Sequence, residues 1–361
     1  APTDDTGAFE ASFKLPFAFA TNGRPHVKQM RTKSGIWFRD MRSPNNHAKD
    51  LSDWFSPEDL LSKLEQEAVE RAKVLAEEPF DYANLRTYQQ DAITAIERTI
   101  HEGAETALIS MATGTGKTRM AIALMYRALK RKRFRRILFL VDRNALAEQT
   151  LDSLENAELE NLLKFTETYG VAGPADKEMG NETRVHVATI QSMVKRVLFG
   201  GEDRPTPGTY DLIIVDEAHR GYALDAELRD EDIEFRSTED YLSKYRRVLD
   251  YFDAVKVGLT ATPALQTPEI FGAPVYRYSY RQAVIDGYLI DHLPPKRIVT
   301  ALNQAGIAFK GGEEVSIVDP ETGEIDTATL PDDTGFEVQE FNKRVYTPEF
   351  NRVVAETIAQ E

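Results

Sequence analysis

The sequence predicts an α/β protein built on a parallel sheet with helices on both faces. Three observations predict it. Short apolar runs of strand length recur between stretches of helical periodicity, the runs are near-continuous rather than alternating, and each is followed at once by polar residues. Near-continuous apolar strands are buried on both faces, as in parallel sheets with helical crossovers. The runs are Thr106 to Ile109, Ile137 to Val141, Val185 to Ala188, Leu212 to Val215 and Lys256 to Leu259. The polar clusters are Gly114 to Thr118, Asp142 to Asn144, Thr189 to Gln191, Asp216 to His219 and Thr260 to Pro263. Open parallel sheets bind ligands beyond the carboxyl ends of their strands. The five clusters are therefore expected along one edge.

In chain order, residues 1–50 read as a β-meander: Phe17 to Ala20, an Asn22-Gly23 turn, Val27 to Met30, a Ser34-Gly35 turn, then Ile36 to Phe38. Residues 51–80 are a connection carrying a helix from Pro57 to about Glu77, with acidic residues at its start and Leu60, Leu61, Leu64, Val69 and Val74 at helical spacing. The sheet domain occupies 81–290. Residues 291–361 differ, with Pro294-Pro295, Gly311-Gly312, a hairpin around Pro320 to Gly323 and a helix from near Pro348; they read as a linker with a β insertion and the start of a second domain. The acidic stretch Asp225 to Asp240 reads as a solvated loop or helix face. The chain opens on Ala1 and stops inside a helical pattern, which is expected of a piece of something longer.

The chain has 361 residues, 42% of them hydrophobic, and a formal charge of −15. The apolar fraction supports a packed core, and no apolar run approaches the ~20 residues of a membrane helix. The complete lack of cysteine excludes a disulfide framework or thiolate metal site and fits the cytoplasm. Whole-chain acidity argues against indiscriminate coating of DNA, so any nucleic-acid contact must be local.

Thr113-Gly114-Thr115-Gly116-Lys117-Thr118 follows a strand and opens a helix, the context of a phosphate-binding loop. Its glycines let backbone amides approach the phosphates of ATP, Lys117 reaches the terminal phosphates, and the Thr118 hydroxyl is a Mg2+ ligand. Met111 departs from the strict pattern, which has glycine there. Asp216-Glu217-Ala218-His219 places two carboxylates at a strand end: Asp216 to hold Mg2+ through water, Glu217 to orient the attacking water. Upstream, Gln89 offers the paired donor and acceptor that an adenine edge requires; its alternative is a solvent-facing glutamine at a helix start. Arg86 is a second candidate at the nucleotide, and Tyr82 a candidate for stacking on the base.

Arg143, Asn144, Gln149, Thr189 and Gln191 stand at helix starts suited to phosphate contacts that grip without reading sequence, or to ordinary capping. Thr260 and Thr262, with His219, are expected to couple the two clusters. The basic run Arg127 to Arg136 lies a helix length, ~20 Å, from the phosphates, so it reads as solvated surface, a partner-docking patch or a contact to flanking duplex.

With these residues assembled the chain resembles the superfamily 2 helicase-type ATPases, and more narrowly the motor (R) subunits of type I restriction-modification enzymes. The narrower likeness rests on FATNGR (Phe19 to Arg24), TKSGIWFR (Thr32 to Arg39), DEAHRGY (Asp216 to Tyr222), FDAVKVGLTATPAL (Phe252 to Leu265) and YSYRQAVIDGYLI (Tyr278 to Ile290). The resemblance implies a RecA-like fold for 81–290 and ATP-driven translocation on double-stranded DNA. It also implies partnership with methylation and specificity subunits, and a nuclease before the motor. No Asp or Glu stands two residues before any lysine, so residues 1–50 are expected to be only the last strands of that nuclease. The second RecA-like domain, with its arginine finger, is expected beyond this segment. Competing readings are a repair or remodelling helicase of the same superfamily and a nucleotide-gated scaffold.

Overall fold

The computed structural model describes residues 15–26, 34–42, 47–65, 74–160, 163–176, 180–201, 204–218, 238–262, 267–291, 307–318, 325–336, 345 and 348–360. Val27 to Met30, His219, Pro263, Pro294-Pro295, Pro320 to Gly323 and most of the acidic stretch from Asp225 lie outside them. The chain divides into two units, Ala1–Asp291 and His292–Glu361.

The first unit opens with β1 (Phe17–Thr21), β2 (Ile36–Asp40) and β3 (Lys49–Leu51), paired antiparallel in that order, then α1 (Pro57–Glu65). After them come α2 (Thr87–His101), β4 (Thr106–Met111), α3 (Lys117–Lys130), β5 (Ile137–Val141), α4 (Asn144–Glu155), α5 (Phe165–Thr168), β6 (Gly170–Ala172), β7 (Thr183–Thr189) and α6 (Ile190–Phe199). The unit closes with β8 (Leu212–Val215), α7 (Thr238–Tyr251), β9 (Val255–Thr260), α8 (Thr267–Phe271), β10 (Pro274–Tyr278) and α9 (Tyr280–Ile285).

Seven of these strands form one parallel sheet in the order β10-β4-β9-β8-β5-β7-β6. All five strands expected from apolar runs are present, within an otherwise RecA-like α/β domain. Their two-sided burial follows from the period of two along a strand. On β5, Ile137, Phe139 and Val141 enter the core under α2 and α3, whereas Leu138 and Leu140 enter the core under α6 and α7. The strands not read from sequence, β6 and β10, are the sheet's edges; β6 has three residues and β10 starts at a proline with an irregular register. Neither offers a continuous apolar run.

The small antiparallel sheet has its own aromatic core of Phe17, Phe19, Phe38 and Phe55. Gly23 and Gly35 take φ of +74° and +72° at the turns expected there. This module is fastened to the amino ends of the large sheet's strands. Asp253, just before β9, is paired with Lys63 of α1 at 2.6 Å and with Lys49 of β3. Buried Asp59 of α1 packs against Gly208, where a Cβ would lie 2.6 Å from its carboxyl carbon.

Burial alone would raise the Asp253 carboxyl, but Lys63 and Lys49 reverse this and hold it well below the usual carboxylate range. A depressed carboxyl contributes stability that is complete above its unfolded value of ~4 and is lost as pH falls through the folded value. The attachment should therefore hold throughout neutral pH and weaken only in acid. Asp253→Asn should cost about 3 kcal/mol at pH 7 and flatten the acid limb of stability, as read from denaturation midpoints over a pH series.

The basic run is only in part the surface expected of it: Lys132 is exposed and Arg136 is half-buried, but the start of the run is tied inward. Arg127 is fully buried: its guanidinium makes two bonds to the Glu97 carboxylate (2.7 and 3.0 Å) and donates to the carbonyls of Glu78 (2.8 Å), Pro79 (2.9 Å) and Leu75 (3.1 Å). Lys130 and Arg131 meet Glu78, and Asp211 accepts from the backbone amides of Arg135 (2.7 Å) and Arg136 (3.0 Å). The physical reason is that α3 is enclosed on most sides. Arg127 continues the buried stripe Met120, Ala123 and Leu124, so its charge had to be matched inside.

In the second unit β11 (Ile307–Phe309) pairs antiparallel with β14 (Thr334–Phe336), β12 (Glu314–Val318) with β13 (Ile325–Thr329), and α10 spans Pro348–Gln360. Val318 faces Ile325, which closes the hairpin around the segment where the sequence placed its turn. Among the described residues no helix is long and apolar enough to cross a membrane.

Candidate active site

Strand order arranges the polar clusters in a row. The carboxyl ends of β4, β9 and β8 carry the phosphate-loop, Thr260 and Asp216 clusters; those of β5 and β7, the next two strands, carry the Arg143 and Thr189 clusters. From β4 to β7 is four strand spacings, roughly 19 Å.

Met111 is the last residue of β4, fully buried and paired with Tyr278, and Ala112 N donates to Tyr278 O at 3.0 Å. The position where the strict pattern has glycine is thus strand, and the departure leaves the loop itself untouched. Gly114 and Gly116 take φ of +81° and +78°, turning successive amides toward one concavity of the kind that binds anions. A Cβ on Gly116 would stand 2.6 Å from Gln89 Nε2. Thr113 and Gly114 are exposed, while Thr115 is buried with Oγ1 donating to Ala112 O at 2.6 Å. Thr118 is half-buried in the first turn of α3.

The Lys117 ammonium lies 3.6 Å from Glu217 Oε1 and 3.4 Å from Met111 O. Asp216 N donates to Leu140 O (2.9 Å) and Ala218 N to Leu259 O (2.8 Å), so the turn after β8 is pinned to both neighbouring strands. Within it Glu217 has φ of +47°, a left-handed conformation that costs a non-glycine residue about 1 kcal/mol or more and clusters at functional sites. Burial pushes the Asp216 carboxyl up and Glu217 pushes it further, against the amide of Glu217 and the charge of Lys117. An arriving cation would offset the burial and the Glu217 charge that disfavour this carboxylate, so the donor set of Thr118 and Asp216 suits Mg2+, which takes one or two protein oxygens beside phosphates and water.

Gln89 Nε2 donates to Thr115 O (3.0 Å) and Gly116 O (3.1 Å), and its Oε1 accepts from Arg86 N (3.0 Å). In this state its amide braces the loop's carbonyls. An aromatic group that sequence reasoning missed flanks the loop: the Tyr88 ring stacks on Tyr278 at 4.0 Å and meets Tyr288 edge-on at 5.1 Å, and its hydroxyl donates to Thr115 O at 2.9 Å. Exposed Arg86 lies 4.6 Å over the Tyr288 ring. Only the pairing of β10 with β4 unites these residues, so no local signal could have found them. Tyr82, the sequence's stacking candidate, is buried against Tyr126 of α3, inside the core.

Thr260 ends β9, fully buried beside Ser110, and Thr262 is exposed two residues later. Along the row, Arg143 is the N-cap residue of α4, 3.6 Å from Asp142, with Asn144 and Gln149 exposed on that helix. Thr189 caps α6, its hydroxyl accepting from Ser192 N at 3.2 Å, and Gln191 is buried in the first turn.

Residues 82–265 match the model of the family described as "Type III restriction enzyme, res subunit", and residues 3–64 that of the "Type I restriction enzyme EcoKI endonuclease subunit second domain". The chain is 50% identical over 343 residues to the type I restriction enzyme EcoKI endonuclease subunit of Escherichia coli (strain K12), covering 95% of this chain and 29% of that protein. It is 29% identical over 366 residues to the EcoAI endonuclease subunit of Escherichia coli, covering 95% and 39%. A fragment structure described as an HsdR subunit of a type I restriction enzyme from Vibrio vulnificus YJ016 shares 26% identity and a TM-score of 0.40, over 76% of this chain and 43% of that one. The chain spans less than half the length of these relatives. It belongs to the res-subunit family of restriction enzymes, and its amino-terminal residues match the second domain of a type I endonuclease subunit.

Proposed function

We propose that this chain is the ATP-hydrolysing part of a type I restriction-modification motor that translocates double-stranded DNA before cleavage away from the recognition site. It would act in the cytoplasm together with methylation and specificity subunits. The observation that carries the reading is the meeting of Lys117 and Glu217 at 3.6 Å, which joins the phosphate loop to the acidic strand end.

When bound, Mg-ATP supplies the transferable phosphoryl group and the charge that offsets its anionic oxygens. Gly114, Gly116 and Lys117 bind the phosphates, Thr118 and Asp216 hold the magnesium, and Glu217 orients a water and takes its proton. Gln89 braces the loop, while Arg86 and Tyr288 present a face for the base. Thr260, Thr262 and His219 connect this work to Arg143, Asn144, Gln149, Thr189 and Gln191, which hold the phosphates of the track. Residues 81–290 form the ATPase domain of this reading and 51–80 its connection to the module before it.

The test compares ATP with inorganic tripolyphosphate. Lys117→Ala should abolish binding of both. Tyr288→Ala should weaken ATP by about tenfold, the ~1–3 kcal/mol of a base on an aromatic ring, and leave tripolyphosphate unchanged. Phosphate release by the full-length protein that duplex DNA fails to stimulate would remove the motor reading and leave a nucleotide-gated scaffold.

A further inference from the structure

From the Thr189 end of the row, an open groove of about 830 Å³ runs along α6 toward the amino ends of β5 and β8, walled by Ser192, Lys195, Arg196, Arg136, Arg204 and Tyr210 among others. Its walls, among the described residues, hold four cationic side chains and no Asp or Glu, on a chain whose formal charge is −15.

The three arginines are oriented by neutral carbonyl acceptors. Arg136 donates to the carbonyls of Thr183 (3.0 Å) and Gly180 (3.3 Å), Arg196 to that of Asp176, and Arg204 to that of Val197 (2.6 Å). Neutral acceptors fix a guanidinium without cancelling its field. Among the described carboxylates, Asp53 lies 3.5 Å from Arg204, Asp59 acts on Arg136, and Asp211 accepts from the backbone amide of Arg136 rather than from its guanidinium. The field is felt by His186, which is bonded to Tyr210 on the groove wall. Its imidazole is pushed down to about 4 by burial first, then by Arg196, with Arg136 adding and Asp176 opposing.

The adjoining groove has the opposite character. It occupies about 740 Å³ along α4, shares Pro174 and Ala175 with the first, and is lined by Glu148, Glu155 and Asp176. An anionic polymer leaving the strand-end row is therefore repelled along α4 and attracted along α6. Ser192, in the first turn of α6, is bonded to Thr189, so the basic groove begins where the proposed track ends.

We infer that this groove holds the sugar-phosphate backbone of duplex DNA flanking the track, with Lys195, Arg196, Arg136 and Arg204 as phosphate contacts. The inference rests on the motor reading above and names a second segment of its DNA. The ten residues of α6 extend ~15 Å, the axial rise of about four base pairs of duplex at 3.4 Å each. Contacts of this kind position without reading sequence. Each contributes about 0.9 to the slope of log affinity against log salt.

The experiment measures binding of a labelled random-sequence duplex over a salt series, for the unaltered chain and for Lys195→Gln/Arg196→Gln. Retained ATP affinity shows that the double variant is folded, and Arg204→Gln serves as a second variant that leaves α6 intact. The expected result is a slope lower by about 2 for the double variant and about 1 for Arg204→Gln, with the same loss for every duplex sequence. A steep slope in the unaltered chain that both variants keep overturns the inference and leaves the groove to an acidic protein surface. No duplex binding by the unaltered chain removes the motor reading itself.

Discussion

In the full-length protein, Glu217→Gln should lower DNA-stimulated phosphate release by 10²- to 10⁴-fold, the range for removing a positioned general base, while ATP binding persists. Three observations make the two effects separable. The Glu217 carboxylate is 3.6 Å from the Lys117 ammonium, so glutamine removes a competitor of phosphate for the lysine that the proposed site assigns to it. Glu217 also raises the neighbouring Asp216 carboxyl, so the neutral side chain lets Asp216 ionise more readily and hold its cation at lower pH. The backbone at φ +47° accepts either residue at similar cost. Steady-state turnover and equilibrium nucleotide binding, measured on the same preparation, check the prediction. A variant that loses affinity in step with turnover would place Glu217 in binding rather than in proton transfer.

Arg127→Ala should destabilise the chain by about 4 kcal/mol, in the range found when one partner of a buried ion pair is removed. The loss is large because the guanidinium serves Glu97 and three backbone carbonyls at once. Urea denaturation should show a lower midpoint at an unchanged slope. Adding Glu97→Leu should recover much of the loss, since the buried carboxylate is then no longer stranded. A midpoint shift worth less than about 1 kcal/mol would mean that the cluster contributes little to holding residues 75–79 in place.

The central strands could be read from the sequence because burial on both faces leaves a continuous apolar run, as in Ile137–Val141 and Leu212–Val215. The edge strands β6 and β10 are half solvated and short, so they carry no such run. The phosphate loop and the acidic turn are contiguous stretches whose chemistry is local. The aromatic group around Tyr88, Tyr278 and Tyr288 is not; it exists only after β10 has paired beside β4. The run Arg127 to Arg136 misled because charge was read as exposure. The correct signal was its first residue, which falls on the apolar stripe of α3.

The attachment of the amino-terminal module has a mechanical consequence. Asp253, Lys49, Lys63 and Asp59 join it to the ends of the strands opposite the phosphate-loop and Asp216 clusters. The module is thus a rigid handle rather than a swinging arm: whatever turns the sheet carries it along through the same angle. A dye on β1 and another on β5 should hold a constant separation through the nucleotide cycle, and a dye on β1 would report the rotation of the whole motor domain against its surroundings.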